Sequence, residues 1–442
     1  MPRPRAVAVV KRRSRANGIQ RSAAPDPHTG GPSRFPLVTS AEALVVLRRF
    51  RALAAERIAV VEAVGRVLAR DVRTTLDLPH FARSYMDGYA VRARDTAGAS
   101  AATPVQLRVV GSVHMGHPVT RRLGRGEAMR IPTGGMLPRA ADAVVMVEHT
   151  AETTDGTVAI GHAAKPMQHV MRRGEDAKKG TRIFLRGHRV RPADVGALSG
   201  IGLASVDVVR RPRVAVLATG DEIVPPDVTP QPGQVRNVNQ YALRALITAN
   251  GGEPVDFGVL PDRESVLRTA LRRALAGADL VVMSGGSSVG TKDLTPAVVA
   301  AMPRARILVH GIRVKPGKPT LIARAAGKPI IGLPGNPTSA LVIFHVFALP
   351  LLRLLGGEPA TAAFAPRRAA VAELGAPIGS LVGREDWVRV AIEADAEGNL
   401  QASPVAGGSG DIVGFVRADG LVRVAPELDG LPAGSRVLVD LL

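Results

Sequence analysis

Cysteine is missing from all 442 residues of the chain. That excludes disulfide bridges, a thiolate zinc site, a thiolate-held iron–sulfur cluster and a cysteine nucleophile, and it suits a reducing compartment. Aromatic residues are scarce, at 3%, so alanine, valine and leucine must supply the buried surface. Acids are outnumbered: 58 Lys and Arg face 38 Asp and Glu, a formal net charge of +20. Such a balance favours anionic small substrates and phosphates. Long apolar runs are absent as well. The nearest, ALVIFHVFALPLLRLL at 340–355, carries His345 and Arg353. It falls short of the roughly eighteen uninterrupted residues of a membrane span and reads as a buried core helix. Neither the Walker phosphate loop nor the GxGxxG dinucleotide fingerprint occurs, which argues against ordinary NTPase or NAD chemistry.

What is present divides the chain into stretches of different character. Residues 1–35 are rich in Arg, Pro, Gly and Ser, with Asp26 as the one acid, and read as a disordered basic arm. Thr39 followed by Glu42 is a capping-box signal ahead of a helical apolar pattern. Short alternating runs such as VQLRVVGSV, punctuated by Gly and Pro, make 81–177 a β-rich module. Residues 36–80 and 178–210 flank it as an N-terminal linking domain. From 211 to 358, apolar strands alternate with helical patterns, which predicts a parallel, doubly wound sheet. Alternation returns in 359–442 and suggests a small β-barrel or sandwich. The expected fold is therefore α/β and multidomain: a three-layer α/β/α domain, a β-rich module and a small C-terminal barrel-like domain.

In an open α/β sheet, ligands sit beyond the carboxyl ends of the strands. Four such ends here carry acids or glycine-rich loops: ATGDEI with Gly220, Asp221 and Glu222; LPDRES with Asp262; SGGSSVGTKD with Gly285, Gly286, Ser287, Ser288 and Asp293; and GLPGNPTSAL, which runs into a helix start. Glycines let backbone N–H groups converge on an anion, and a helix N-terminus adds to the cradle. Acids beside an anion site make sense when a divalent cation bridges them, and Mg²⁺ is commonly held by carboxylates plus substrate phosphates. The turn RVKPGKPTLIA adds Lys315 and Lys318, stiffened by Pro316 and Pro319 and suited to a compact oxyanion. The β-rich module offers Asp87 in an apparent Asp-Gly turn, Thr133 on a glycine loop, and Asp176 in RRGEDAKKG. Arg384 in GREDW and Ser409 in GGSGD are further anion ligands in waiting.

Taken in order, SYMDGYAV, IPTGGMLPRAADAVVMVE, RRGEDAKKG, LATGDEIV, SGGSSVGTKD, KPGKP and GLPGNPTSAL resemble the molybdopterin molybdenumtransferase family, which includes the gephyrin E domain. The match spans 84–344, weakens through GREDW and GGSGD, and leaves the arm outside. The resemblance implies insertion of molybdate into adenylylated molybdopterin, with release of AMP and dependence on Mg²⁺. It implies a cytoplasmic, elongated homodimer whose cleft is shared between one subunit's sheet domain and the partner's β-rich module. Asp87, Thr133 and Asp176 would then act across the dimer. By position, Lys315, Lys318, Arg384 and Ser409 would hold molybdate. Glu222, Asp262 and Asp293 would hold the cation, and Gly285, Gly286, Ser287 and Ser288 would cradle the pterin phosphate, with Pro334 and Asn336 lining the substrate site. Asp87, Glu222, Asp262, Asp293 and Lys315 are the expected catalytic groups. A transient contact with molybdopterin adenylyltransferase is also implied; membrane and nucleic acid are not expected partners.

The sequence departs from the family pattern in small ways. TGG and PRA stand where TGA and PGA are usual, and RNVNQ stands where Ser-Asn is usual. Two alternatives are weighed against insertion. One is the preceding adenylylation step, which the extra β-rich modules and the KPGKP turn disfavour. The other is a pterin-binding scaffold without catalysis, which the retained acids and lysines disfavour.

Overall fold

The apolar runs between 213 and 333 assemble into one sheet of six strands. In the computed structural model, which describes residues 36–285, 294–366 and 368–442, the strand order is Glu253–Leu260, Arg213–Thr219, Leu280–Ser284, Lys328–Leu333, Leu321–Ala325, Arg306–His310. The basic arm falls outside the described residues. The first four strands run parallel. Leu321–Ala325 runs the other way and pairs antiparallel with both of its neighbours, so Arg306–His310 points with the first four again; the sheet is mixed, which corrects the expectation of a parallel one. The reason is local. Ala326 and Gly327 take φ of 47° and 84°, giving a two-residue hairpin that leaves no room for a crossover helix.

Successive side chains of the central strands face opposite helical layers, as the pleat requires. Val214, Val216, Leu280, Val282 and Ile331 pack with helix Asn239–Ala249 and the long helix that begins at Pro337. Ala215, Leu217, Val281, Met283 and Ile330 meet helices Glu264–Gly277 and Thr295–Ala300. Burial on both faces is why these strands read as unbroken apolar runs.

The helix Pro337–Leu355 has 19 residues and a mean hydropathy of 1.9, enough by length and composition to cross a membrane, yet 83% of it is buried inside the protein. Phe344 and Phe347 are completely buried. Its middle, Phe344–Ala348, is a π turn. Pro350 lies just beyond and has no N–H to give back to residue 346, so the ladder loosens there.

The capping box is formed: Glu42 N donates to Thr39 Oγ1 at 3.2 Å, and Thr39 N donates to Glu42 Oε2 at 2.8 Å. This helix, Ser40–Leu47, buries Ala43 and Leu47 in the core of the sheet domain. Strands Ala55–Ala59 and Ser205–Val209 pair antiparallel and share a core with helix Pro192–Gly200. The linking part meets the sheet domain at Glu358, where Arg189 Nη2 approaches to 2.7 Å and Arg353 Nε to 2.8 Å.

The β-rich module is a six-stranded sheet in the order Ala143–Met146, Gly88–Val91, Glu127–Ile131, Val105–Ser112, Thr157–Ile160, Thr150–Glu152. Its alternate residues feed two small cores, Tyr89 and Val91 on one face and Ala90 on the other. In the C-terminal domain, strands Glu385–Ala394, Leu400–Pro404, Ala369–Leu374, Arg436–Leu441 and Gly420–Val424 follow one another, and the last pairs back with the first. The expected barrel-like domain is thus a closed barrel, cored by Leu374, Val390, Ala402 and Val439.

Candidate active site

The carboxyl ends of the parallel strands converge as the sequence suggests. Gly220 N donates to Leu260 O at 3.3 Å. Asp262 N donates to Asp221 Oδ1 at 3.1 Å, which ties the first two strand-end loops together. Asp221 therefore serves as a loop anchor, while the neighbouring Glu222 is exposed. A Cβ at Gly285 would lie 2.1 Å from Thr219 O, and Gly285 takes φ +115°, so a glycine is required for this strand end to pass its neighbour. Gly335 follows closely, since a Cβ there would be 3.7 Å from Gly285 Cα. Glu222, Asp262, Gly285, Pro334 and Asn336 thus share one edge of the sheet domain. Pro334 is buried and shapes the loop, whereas Asn336 is exposed. Gly286, Ser287, Ser288 and Asp293 lie outside the described residues.

Asn239 locks this edge and was not among the expected site residues. Its Nδ2 donates to Ser284 Oγ at 2.6 Å and to Gly335 O at 2.7 Å. It sits in the RNVNQ stretch that departs from the family pattern, so the signal was present without its meaning.

The barrel joins the sheet domain in two places. Strand Val314–Lys315, at the start of the KPGKP turn, pairs in parallel with Glu385 and Asp386 of the barrel. The turn is closed by Ile312 N donating to Lys318 O at 2.9 Å; Lys315 is exposed and Lys318 half-buried. Arg384 stands at this junction and makes a two-point ion pair with buried Asp386, Nε to Oδ1 at 2.7 Å and Nη2 to Oδ2 at 2.9 Å. At the second place, Asn336 Nδ2 donates to Ser409 Oγ at 3.0 Å, and Thr338 N donates to Ser409 O at 3.0 Å. Buried Arg389 moulds the loop around Ser409, donating from Nη2 to Gly407 O at 3.0 Å and from Nη1 to Asp411 O at 3.3 Å. Asp386 therefore links Lys315, by register, to Arg384, by ion pair, and Asn336 meets Ser409, each link spanning two domains. No local pattern announced Arg389. Asp386 could have been found from its place two residues after Arg384, which puts both on one side of an extended chain.

The β-rich residues make a third group. Thr133 N donates to Asp87 Oδ1 at 2.7 Å, so these two expected residues do meet. The Asp-Gly step is not the free turn that its sequence suggests. Gly88 opens a strand, and a Cβ there would fall 1.9 Å from Val145 O, so the glycine serves a close strand approach. Tyr85 O–H donates to Glu175 Oε1 at 2.6 Å, which links the SYMDGY and RRGED segments beside Asp176. Hydrogen bonds from Tyr85 and from the Arg172 N–H hold the Glu175 carboxyl below its ordinary pKa, and the same bond raises that of Tyr85. Asp87, Thr133 and Asp176 are all exposed.

The fold defines a multidomain protein built around a doubly wound α/β domain whose strand ends carry the candidate site. Family models match in sequence order: the MoeA N-terminal region (domain I and II) over 38–202, a probable molybdopterin binding domain over 215–354, and the MoeA C-terminal region (domain IV) over 371–442. A Haemophilus influenzae protein named molybdopterin molybdenumtransferase is 34% identical over 380 residues, covering 86% of this chain and 92% of that protein. Molybdopterin molybdenumtransferase 2 of Mycobacterium tuberculosis is 36% identical over 400 residues, covering 89% and 97%. A crystal structure of a Pyrococcus horikoshii molybdopterin biosynthesis protein matches with TM-score 0.79 at 38% identity, over 92% of this chain and 99% of that one. The chain belongs to the MoeA family.

Proposed function

We propose that the protein is a molybdopterin molybdenumtransferase, inserting molybdate into adenylylated molybdopterin with Mg²⁺-dependent release of AMP. The observation that carries this reading is the joining of the barrel to the sheet domain: Lys315 is register-paired with Asp386, the ion-pair partner of Arg384, and Asn336 donates to Ser409. A dianionic oxyanion needs positive charge and donors on a rigid frame. Lys315, Lys318 and Arg384 supply the charge. Ser409 Oγ accepts from Asn336, so its own hydrogen is free to be donated to an oxyanion.

The acids fit a hard cation rather than a soft one, being oxygen ligands in a chain without thiols. Among the described residues no three acids or histidines gather at one point, so a bound cation would draw ligands from substrate phosphates as well. Glu222, Asp262 and Asp293 would hold Mg²⁺, which when bound would neutralise the charge that develops on the phosphoanhydride. The Gly285–Ser288 loop and the Pro334–Asn336 turn would seat the pterin phosphate. Asp87 is oriented by the Thr133 N–H and, with Asp176, acts from the partner subunit in a cytoplasmic homodimer. In this reading the chain folds as domains 36–80 with 178–210, 81–177, 211–358 and 359–442, after the arm 1–35. Contact with the adenylyltransferase that supplies the substrate is part of the same proposal.

The test is single-turnover conversion of adenylylated molybdopterin with purified protein, Mg²⁺ and molybdate, beside a Glu222→Ala control. Molybdate-dependent AMP release that the control loses is the expected result. Tight pterin binding without AMP release in the wild type would overturn it.

A further inference from the structure

The side-on ion pair between Arg384 and Asp386 limits what Arg384 can offer a ligand. Asp386 is buried, with its side chain 4% exposed, while that of Arg384 is 22% exposed. The carboxylate takes the Nε and Nη2 hydrogens on one side of the guanidinium. A guanidinium has five N–H groups in a fixed plane, so the end-on Nη1–Nη2 edge is left for another acceptor. The backbone fixes where that edge stands, because Asp386 is register-paired with Lys315 across the junction of barrel and sheet domain. On its other side, Asp386 pairs with Val424 inside the closed barrel. The main chain at Asp386 is thus held between two neighbouring strands, which fixes the base from which its buried carboxylate meets Arg384.

We propose that Asp386 is a positioning residue of the oxyanion subsite: its buried carboxylate turns Arg384 so that the Nη1–Nη2 edge meets the tetrahedral oxyanion next to Lys315. This rests on the reading of Arg384 as a molybdate ligand. Two effects of Asp386 oppose each other. Its charge weakens the pull of Arg384 on an anion, and its geometry keeps the guanidinium in place. Arginine recognition of oxyanions depends on a matched planar fork, so geometry is expected to dominate.

The experiment uses the full-length chain with Asp386→Asn, Asp386→Glu and the wild type. KM for molybdate and KM for adenylylated molybdopterin are measured separately in AMP release. For Asp386→Asn, the molybdate KM should rise about tenfold, as loss of a charge-assisted hydrogen bond gives. The KM for the pterin and kcat should stay within about twofold of wild type, and Asp386→Glu should recover part of the loss. An unchanged or lower molybdate KM overturns the proposal. Should Asp386→Asn fail to fold, the Glu variant decides in the same way. Should the wild type release no AMP, the proposed activity fails, and equilibrium dialysis of molybdate against wild type and Asp386→Asn still tests the role of Asp386: weaker binding in the variant supports it and equal binding overturns it.

Discussion

Glu358 and Glu222 are both glutamates just beyond an element of the sheet domain, and they live in opposite surroundings. Glu358 is 6% exposed and is gripped by Arg189 and Arg353. Burial pushes its pKa up, but the two guanidinium groups outweigh this and hold it below the ordinary value. Glu222 is exposed and makes no ion pair among the described residues. A buried, paired charge is committed to the structure, since removing it strands its partners. A charge kept in water at a strand end remains available to a ligand.

The sharpest way to break this contrast is Glu358→Ala, which leaves two arginines facing a hole. It should cost about 3–5 kcal/mol in urea unfolding, while the folded fraction keeps its AMP release. Glu222→Ala should do the reverse. AMP release should fall about a hundredfold or more, the usual loss for an electrostatic group acting on the transition state. Its unfolding free energy from urea titration should change by less than about 0.5 kcal/mol, as with most surface changes.

Acid should sharpen the contrast further. The folded Glu358 pKa is depressed, so its contribution is present above the unfolded value of about 4.3 and is lost as pH falls through the folded one. Wild-type stability should therefore fall below about pH 4 by a component that Glu358→Gln lacks, read from urea midpoints across pH. The smallest effect is expected from Asn336→Ala. Removing one hydrogen bond to Ser409 should raise the molybdate KM by about 0.5–1.5 kcal/mol equivalent and leave the pterin KM alone.

Elements built from local signals were legible in the sequence. The Thr39 capping box and the strand-end glycines could be read because neighbours along the chain create them. The antiparallel edge of the sheet was not, because it depends on Ala326 tolerating a left-handed conformation that its side chain disfavours. The Glu358 joint was equally hidden, since Arg189 is distant in sequence and becomes a partner only after folding. In the site, residue types were readable but commitments were not. The spacing in GREDW puts Arg384 and Asp386 on one side of an extended chain but does not say that the arginine is already half engaged, and nothing near Arg389 says that it moulds the loop around Ser409.

The short pairing of Val314–Lys315 with Glu385–Asp386 also bears on how interchangeable the parts of this molecule are. A barrel grafted from a relative would arrive without the strand that completes its rim, because that strand is encoded some seventy residues earlier, inside the sheet domain. Chimeras made at a boundary near residue 359 would thus pair mismatched halves of one hydrogen-bonded seam. A transplant that carries 313–319 together with the barrel keeps the seam intact and is the natural unit of exchange.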